Sequence, residues 1–129
     1  MMDKKPHLKL LDAQFDVHRL LSLMNLEDLQ GSWFLSSTDE EISLVCETIN
    51  RDLLKDTVQK SELNWRAIKV AGPLDFNLTG VIAGISQALA NAEVPIFVIS
   101  TFDTDYVLIK ERNLAEALVA LKKTSYVFV

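Results

Sequence analysis

The stretch 94–109 reads VPIFVISTFDTDYVLI, and it decides the fold. Its two ends, Val94–Ile99 and Tyr106–Ile109, are short runs of β-branched and aromatic residues, which predict two strands. Between them, Ser100-Thr101-Phe102-Asp103-Thr104-Asp105 packs hydroxyls, carboxylates and an aromatic ring into one turn. Asn-Gly or Asp-Gly would close a hairpin with far less chemistry. The turn is therefore a candidate binding element as well as a connection. Pro95 puts the first of these strands at a sheet edge, or itself at the strand start.

Working outward, Trp65–Ala71 alternates and predicts a strand, and Gly72-Pro73 punctuates its end. Asn77 is a candidate N-cap for a helix reaching about Ala92, because Leu78, Val81, Ile82, Ile85 and Leu89 recur at helical spacing. Gly80 and Gly84 lie on that helix and cost it about 1 kcal/mol each, so something must approach closely there. On the other side, Asn113 opens a helix carrying Leu114, Ala117, Leu118 and Leu121. Lys122 and Lys123 suit its C-terminal dipole. Ser125–Val129 reads as a last strand. Residues 65–129 thus follow the order β-α-β-β-α-β, which is ferredoxin-like.

The first half starts the same way. His7–Leu11 reads as a strand and Val17–Met24 as a short helix. Trp33–Thr38 and Ile42–Cys46 read as strands around Asp39-Glu40-Glu41. Arg51–Lys60 reads as a short helix or an irregular connector. Phe34–Thr38 lines up on Phe97–Thr101, and Asp39–Glu47 on Asp103–Glu111 if Phe102 is skipped. These letters predict an internal duplication. The expected organisation is α+β: two tandem repeats, 1–62 (incomplete) and 63–129, each an antiparallel sheet with helices on one face.

The 129 residues suffice for one compact unit or two very small ones. Hydrophobic residues make up 49% and charged residues 24%, enough for a real core. The net charge of -5 argues against nucleic acid and anionic membrane surfaces as partners. No apolar run approaches the roughly 20 residues of a membrane span. The first residues lack the apolar core of a signal peptide, so a cytoplasmic location is expected. With one cysteine, Cys46, no internal disulfide can form. No Cys/His metal cluster is visible, and no metal or cofactor is expected.

The ferredoxin-like order puts the start of the first helix, Asn77-Leu78-Thr79-Gly80-Val81, at the same end of the sheet as the turn. A helix N-terminus offers free N–H groups and a positive dipole end, which suit a carboxylate. Asp103 or Asp105 can hold an ammonium group. Together they fit the two charges of a free amino acid. Ser100 and Thr101 would add neutral hydrogen bonds, and Phe102 a packing surface. Against this stands a plain alternative, in which Asp and Thr satisfy backbone N–H groups within the turn. Cys46 reads as a buried structural thiol, and His18 as a surface or half-buried histidine on the first helix. Asp39-Glu40-Glu41 reads as a solvated turn, and Trp33 and Trp65 as core or interface anchors. No GxSxG, P-loop, Rossmann or HExxH motif is present, so no enzyme is indicated.

The run Trp65–Gly80 (WRAIKVAGPLDFNLTG) with Ile99–Ile109 (ISTFDTDYVLI) resembles the ACT domain of the CASTOR-like subfamily. Ser37–Cys46 (STDEEISLVC) resembles the first half of small bacterial tandem-ACT proteins. The resemblance implies a regulatory module that binds an amino acid and is not an enzyme. It also implies a homodimer, with ligands at interfaces between ACT units. The arginine-sensing relatives hold their ligand at the loop before the first helix and at the turn after the second strand. Positions 75–82 and 99–105 match these here, with Thr101, Phe102, Asp105 and Gly80 fitting the family pattern. Leu78 stands where the arginine sensor has an acidic residue. One partner for a guanidinium is therefore missing, and a smaller or more apolar amino acid becomes at least as good a candidate.

Overall fold

The computed structural model describes residues 5–23, 26–71 and 80–129. Among these residues nine elements follow along the chain: strands β1 (Leu8–Leu20), β2 (Trp33–Ser37) and β3 (Ile42–Glu47), helix α1 (Arg51–Leu54), strand β4 (Val58–Val70), helix α2 (Val81–Asn91), strands β5 (Phe97–Ser100) and β6 (Asp105–Lys110), and helix α3 (Leu114–Lys123). Short 3-10 turns add Leu26–Asp28, Thr48–Asn50 and Glu111–Asn113. The chain divides into two compact units, Ala13–Trp65 and a second made of Met1–Asp12 with Arg66–Val129. The long strands β1 and β4 each contribute residues to both.

In the second unit the strand order is β1-β4-β6-β5. β5 and β6 form the expected hairpin, with Ser100 opposite Asp105 and Phe97 opposite Leu108. The core joins Ile68 and Val70 of β4 and Val107 and Ile109 of β6 to Ile85, Ala88 and Leu89 of α2 and Ala117 and Leu121 of α3. Side chains two apart on a strand share a face, and those three or four apart share a helical stripe. Both periods therefore converge on one apolar layer. The expected last strand is corrected here. The fourth position of the order belongs to the opening of β1, whereas Ser125–Val129 makes only an isolated parallel bridge, Leu8 to Phe128. Leu8 N–H donates to Val127 O (2.8 Å) and Val129 N–H donates to Leu8 O (2.8 Å). The ferredoxin-like arrangement is thus completed by the N-terminal segment of the chain.

Gly84 explains one of the two helix glycines. A Cβ there would stand 2.7 Å from the Tyr126 hydroxyl, so the close approach is by a residue of the same unit. Gly80 is different. Its φ is a left-handed 79°, and a Cβ added to it would meet nothing within 4 Å among the described residues.

In the unit Ala13–Trp65 the order is β2-β3-β1-β4. Val17 lies opposite Val45, and Leu20 opposite Ile42. The expected helix over Val17–Met24 is corrected: the chain stays in β1 through Leu20. Val17, Leu20, Leu21 and Met24 stand at i, i+3, i+4 and i+7 and fit the helical period by spacing alone. Pairing with β3 selects the strand, burying His18 and Leu20 while exposing Arg19. The connector expected at Arg51–Lys60 is one helical turn, α1, followed by the start of β4. Leu20, Leu44, Cys46 and Leu54 form a small apolar cluster. Asp16, His18 and Asn50 are buried polar groups of this unit.

From β3 to α1 the element starts recur 63 residues later, Ile42 answering to Asp105, Thr48 to Glu111 and Arg51 to Leu114, whereas β1 and β4 start 50 residues apart. β3 and β6 also share one burial pattern, two half-buried residues, three buried and one half-buried. No residue is skipped in the turn, so the letter alignment of Asp39–Glu47 on Asp103–Glu111 is one position out.

Candidate functional site

The turn of the β5–β6 hairpin is closed by its own side chains. Thr101 N–H donates to Thr104 O (2.8 Å), and the Thr101 hydroxyl donates to the same oxygen (3.0 Å). Thr104 N–H reaches back to Thr101 Oγ1 (3.3 Å). The Ser100 hydroxyl donates to Asp105 Oδ1 (2.5 Å). An ionised carboxylate accepts about four hydrogen bonds, so Asp105 keeps acceptor capacity after this one. Phe102 at the tip is 79% exposed, and Asp103 is exposed beside it.

Thr104 anchors the turn. It is 6% exposed, and its hydroxyl donates to Val70 O, the last residue of β4, at 2.5 Å. The turn therefore stands at the end of β4 from which the chain proceeds to α2. Sequence reasoning misses Thr104, because its role shows only when the strand beside it is known. Of the helix-side candidates, Asn77, Leu78 and Thr79 lie outside the described residues. Gly80 occupies the N-cap position of α2 and accepts from Gly84 N–H (2.9 Å), and Val81 packs against the core.

The turn Thr38–Glu41 has the same wiring. Thr38 N–H donates to Glu41 O (2.9 Å), and its hydroxyl donates to that oxygen (3.3 Å) and accepts from Glu41 N–H (3.2 Å). Ser43 donates to the Glu41 carboxylate (2.7 Å), and Arg19 donates to Glu40 O (3.3 Å). A shallow groove of about 290 Å³ lies here, lined by Arg19, Asp39, Glu41 and Gln59 among others.

A second polar cluster lies in the same unit, and no sequence motif announces it. Asp16 is fully buried and accepts from Arg51 Nε (2.7 Å), an Arg51 terminal nitrogen (2.8 Å) and Asn64 N–H (3.0 Å). Burial pushes its pKa up, but the bonds from Arg51 and Asn64 outweigh that and hold it below the ordinary value. His18, two residues on, is 4% exposed and shares a hydrogen bond with Ser61 Oγ (2.7 Å). Its Nε2 has no hydrogen-bond partner among the described residues. Burial lowers its pKa, Asp16 opposes and Arg51 assists, so the ring is neutral near pH 7. Asp16 and His18, two residues apart on β1, share one face of the strand. Burial pushes the Cys46 thiol to about 12, with Asp16 adding to it, which leaves the thiol unreactive. Among the described residues, no group of three His, Cys, Asp or Glu could hold a metal ion, and no helix is long and apolar enough to cross a membrane.

Residues 60–123 match the family model of the ACT domain. The human protein named cytosolic arginine sensor for mTORC1 subunit 1 is 33% identical over 60 residues, which are 46% of this chain and 18% of that protein. This chain thus spans less than a fifth of the length of the curated relatives it matches. Among solved structures, an Agrobacterium tumefaciens protein superposes with a TM-score of 0.84 at 25% identity, covering 98% of this chain and 94% of that one. The ligand-free regulatory subunit of aspartate kinase from Thermus thermophilus shares the fold, with a TM-score of 0.63 at 10% identity, covering 95% of this chain and 99% of that one.

Proposed function

We propose, from the premise that this chain carries an ACT domain over residues 60–123, that it is a non-catalytic regulatory module binding a free amino acid. The ligand site is built from Asn77–Val81 and Ser100–Asp105. Asp105, or Asp103, holds the ammonium group, and the start of α2 holds the carboxylate. The observation that carries this reading is the bond from Thr104 to Val70 O, which ties the turn to the strand end leading to α2. The chain works in the cytoplasm as a homodimer, and a further ACT unit completes the site. The 63-residue offset of β3, the 3-10 turn after it and α1 supports reading 1–62 and 63–129 as tandem ACT-like repeats. Ligand binding shifts the packing between ACT units and so changes a partner contact, by differential affinity for two states.

A thermal-shift panel of free amino acids tests this. A ligand at 100 times its Kd adds about 2.7 kcal/mol of stability. Asp105→Ala should abolish the shift and leave the unliganded midpoint nearly unchanged, because Asp105 is only half-buried. If no amino acid raises the midpoint, the reading fails.

One observation favours a second reading, a ligand-free protein-interaction or assembly module that dimerises through its sheets. The hydroxyls of Ser100 and Thr101 are already engaged within the turn, and the turn Thr38–Glu41 is wired alike. In that case Asp105→Ala changes neither ligand response nor partner binding.

A further inference from the structure

We infer that the outer face of α3 is a two-fold docking surface for a second copy of this chain. Ala92 at the end of α2 and Ala115, Glu116, Val119, Ala120 and Lys123 of α3 line a largely apolar groove of about 460 Å³. Val119 stands in it 53% exposed. The charges on this face are arranged antisymmetrically. Glu116 and Lys123 lie equally far, about 5 Å of helix rise, on either side of the point midway between Val119 and Ala120. A two-fold axis through that point sets two copies of α3 antiparallel and brings each Glu116 level with the other copy's Lys123. The same operation lays each Val119 into the groove of the other copy. Ala92, Ala115 and Ala120 are small enough for helices to close to about 8 Å. A face complementary to itself under a two-fold axis is what an isologous dimer requires. A like-charged face would reject its own copy, whereas this one pairs unlike charges at its rim and apolar groups at its centre.

This deepens the homodimer part of the proposed function but does not depend on a ligand. Sedimentation of the full chain tests it. The wild type is expected at twice the 14.5 kDa chain mass. Val119→Glu should shift the protein to monomer with an unchanged far-ultraviolet spectrum, since Val119 is not part of the buried core. Glu116→Lys and Lys123→Glu should each weaken association several-fold, and the double reversal should restore it. A wild type that stays monomeric into the millimolar range overturns the proposal, as does a dimer indifferent to Val119→Glu. A double reversal no better than the single ones overturns the antiparallel register. Amino-acid binding by the Val119→Glu monomer reports separately on a ligand site that needs no second copy.

Discussion

The turns Thr38–Glu41 and Thr101–Thr104 close with the same hydrogen bonds, yet they crown units stabilised in different ways. The unit containing Thr101–Thr104 has two full helices over its strands and one apolar cluster from Leu8 to Tyr126. Its turn is fastened to β4 through the buried Thr104 hydroxyl. The unit containing Thr38–Glu41 has a 3-10 turn and a single helical turn in the corresponding places. Beside the cluster of Leu20, Leu44, Cys46 and Leu54 it buries Phe15, Val45 and Trp65, and a buried carboxylate, histidine and asparagine belong to the same unit. The residue answering to Thr104 is Glu41, exposed and bonded to Ser43. Where helices supply apolar area, burial holds the sheet. Where they are short, an ion pair between buried Asp16 and Arg51 also links β1 to α1, and removing Asp16 alone leaves the Arg51 charge unpaired.

Four measurements test that contrast. The largest effect is expected from Leu89→Ala, which empties a fully buried site on α2. Urea unfolding should show a loss of about 4 kcal/mol. Asp16→Ala strands the Arg51 guanidinium and the Asn64 N–H. Because Arg51 is 43% exposed, water can partly re-solvate it, and a loss of about 3 kcal/mol is expected by the same assay. Were Asp16→Ala neutral, the polar network would not be what holds that unit.

Thr104→Val should cost about 1 to 2 kcal/mol, because Val70 O loses its buried donor. Glu41→Ala at the matching place should stay within about 0.5 kcal/mol. Equal losses at the two positions would erase the distinction between an anchored turn and an exposed one.

The smallest effect is a pH dependence confined to the Ala13–Trp65 unit. His18 is held below its ordinary value of 6.5, so the unfolded chain binds its proton first. Stability is complete above that value and falls as pH drops below it. Asp16 is likewise depressed, so its contribution begins to be lost only below about 3.8. Chemical denaturation across this range should show a slope below pH 6.5 that His18→Gln removes.

Much of the local structure is legible in the letters. β2, β3, β5, β6 and α3 follow from alternation or helical spacing between clear turn signals, and the hairpin chemistry of Ser100–Asp105 is written in consecutive residues. The second half of β1 is not legible. Val17, Leu20 and Leu21 fit a helix by spacing, and only the partner β3 shows which period governs. Nor is the fourth strand position, since Leu8 meets Val127 and Val129 across nearly the whole chain. Asp16 finds Arg51 at 35 residues' separation, and no local pattern announces that pairing.

Local sequence suffices for the elements with strong periods and for the repeated turn with its Thr at the first position. These depend on neighbours within a few residues, where backbone geometry sets which side chains share a face. Three features belong to the tertiary structure instead. The N-terminal segment completes the sheet of the C-terminal unit, Thr104 anchors the turn to β4, and Asp16 and His18 are buried. Each of these rests on a contact between distant residues, and such contacts form only once the chain has folded around them.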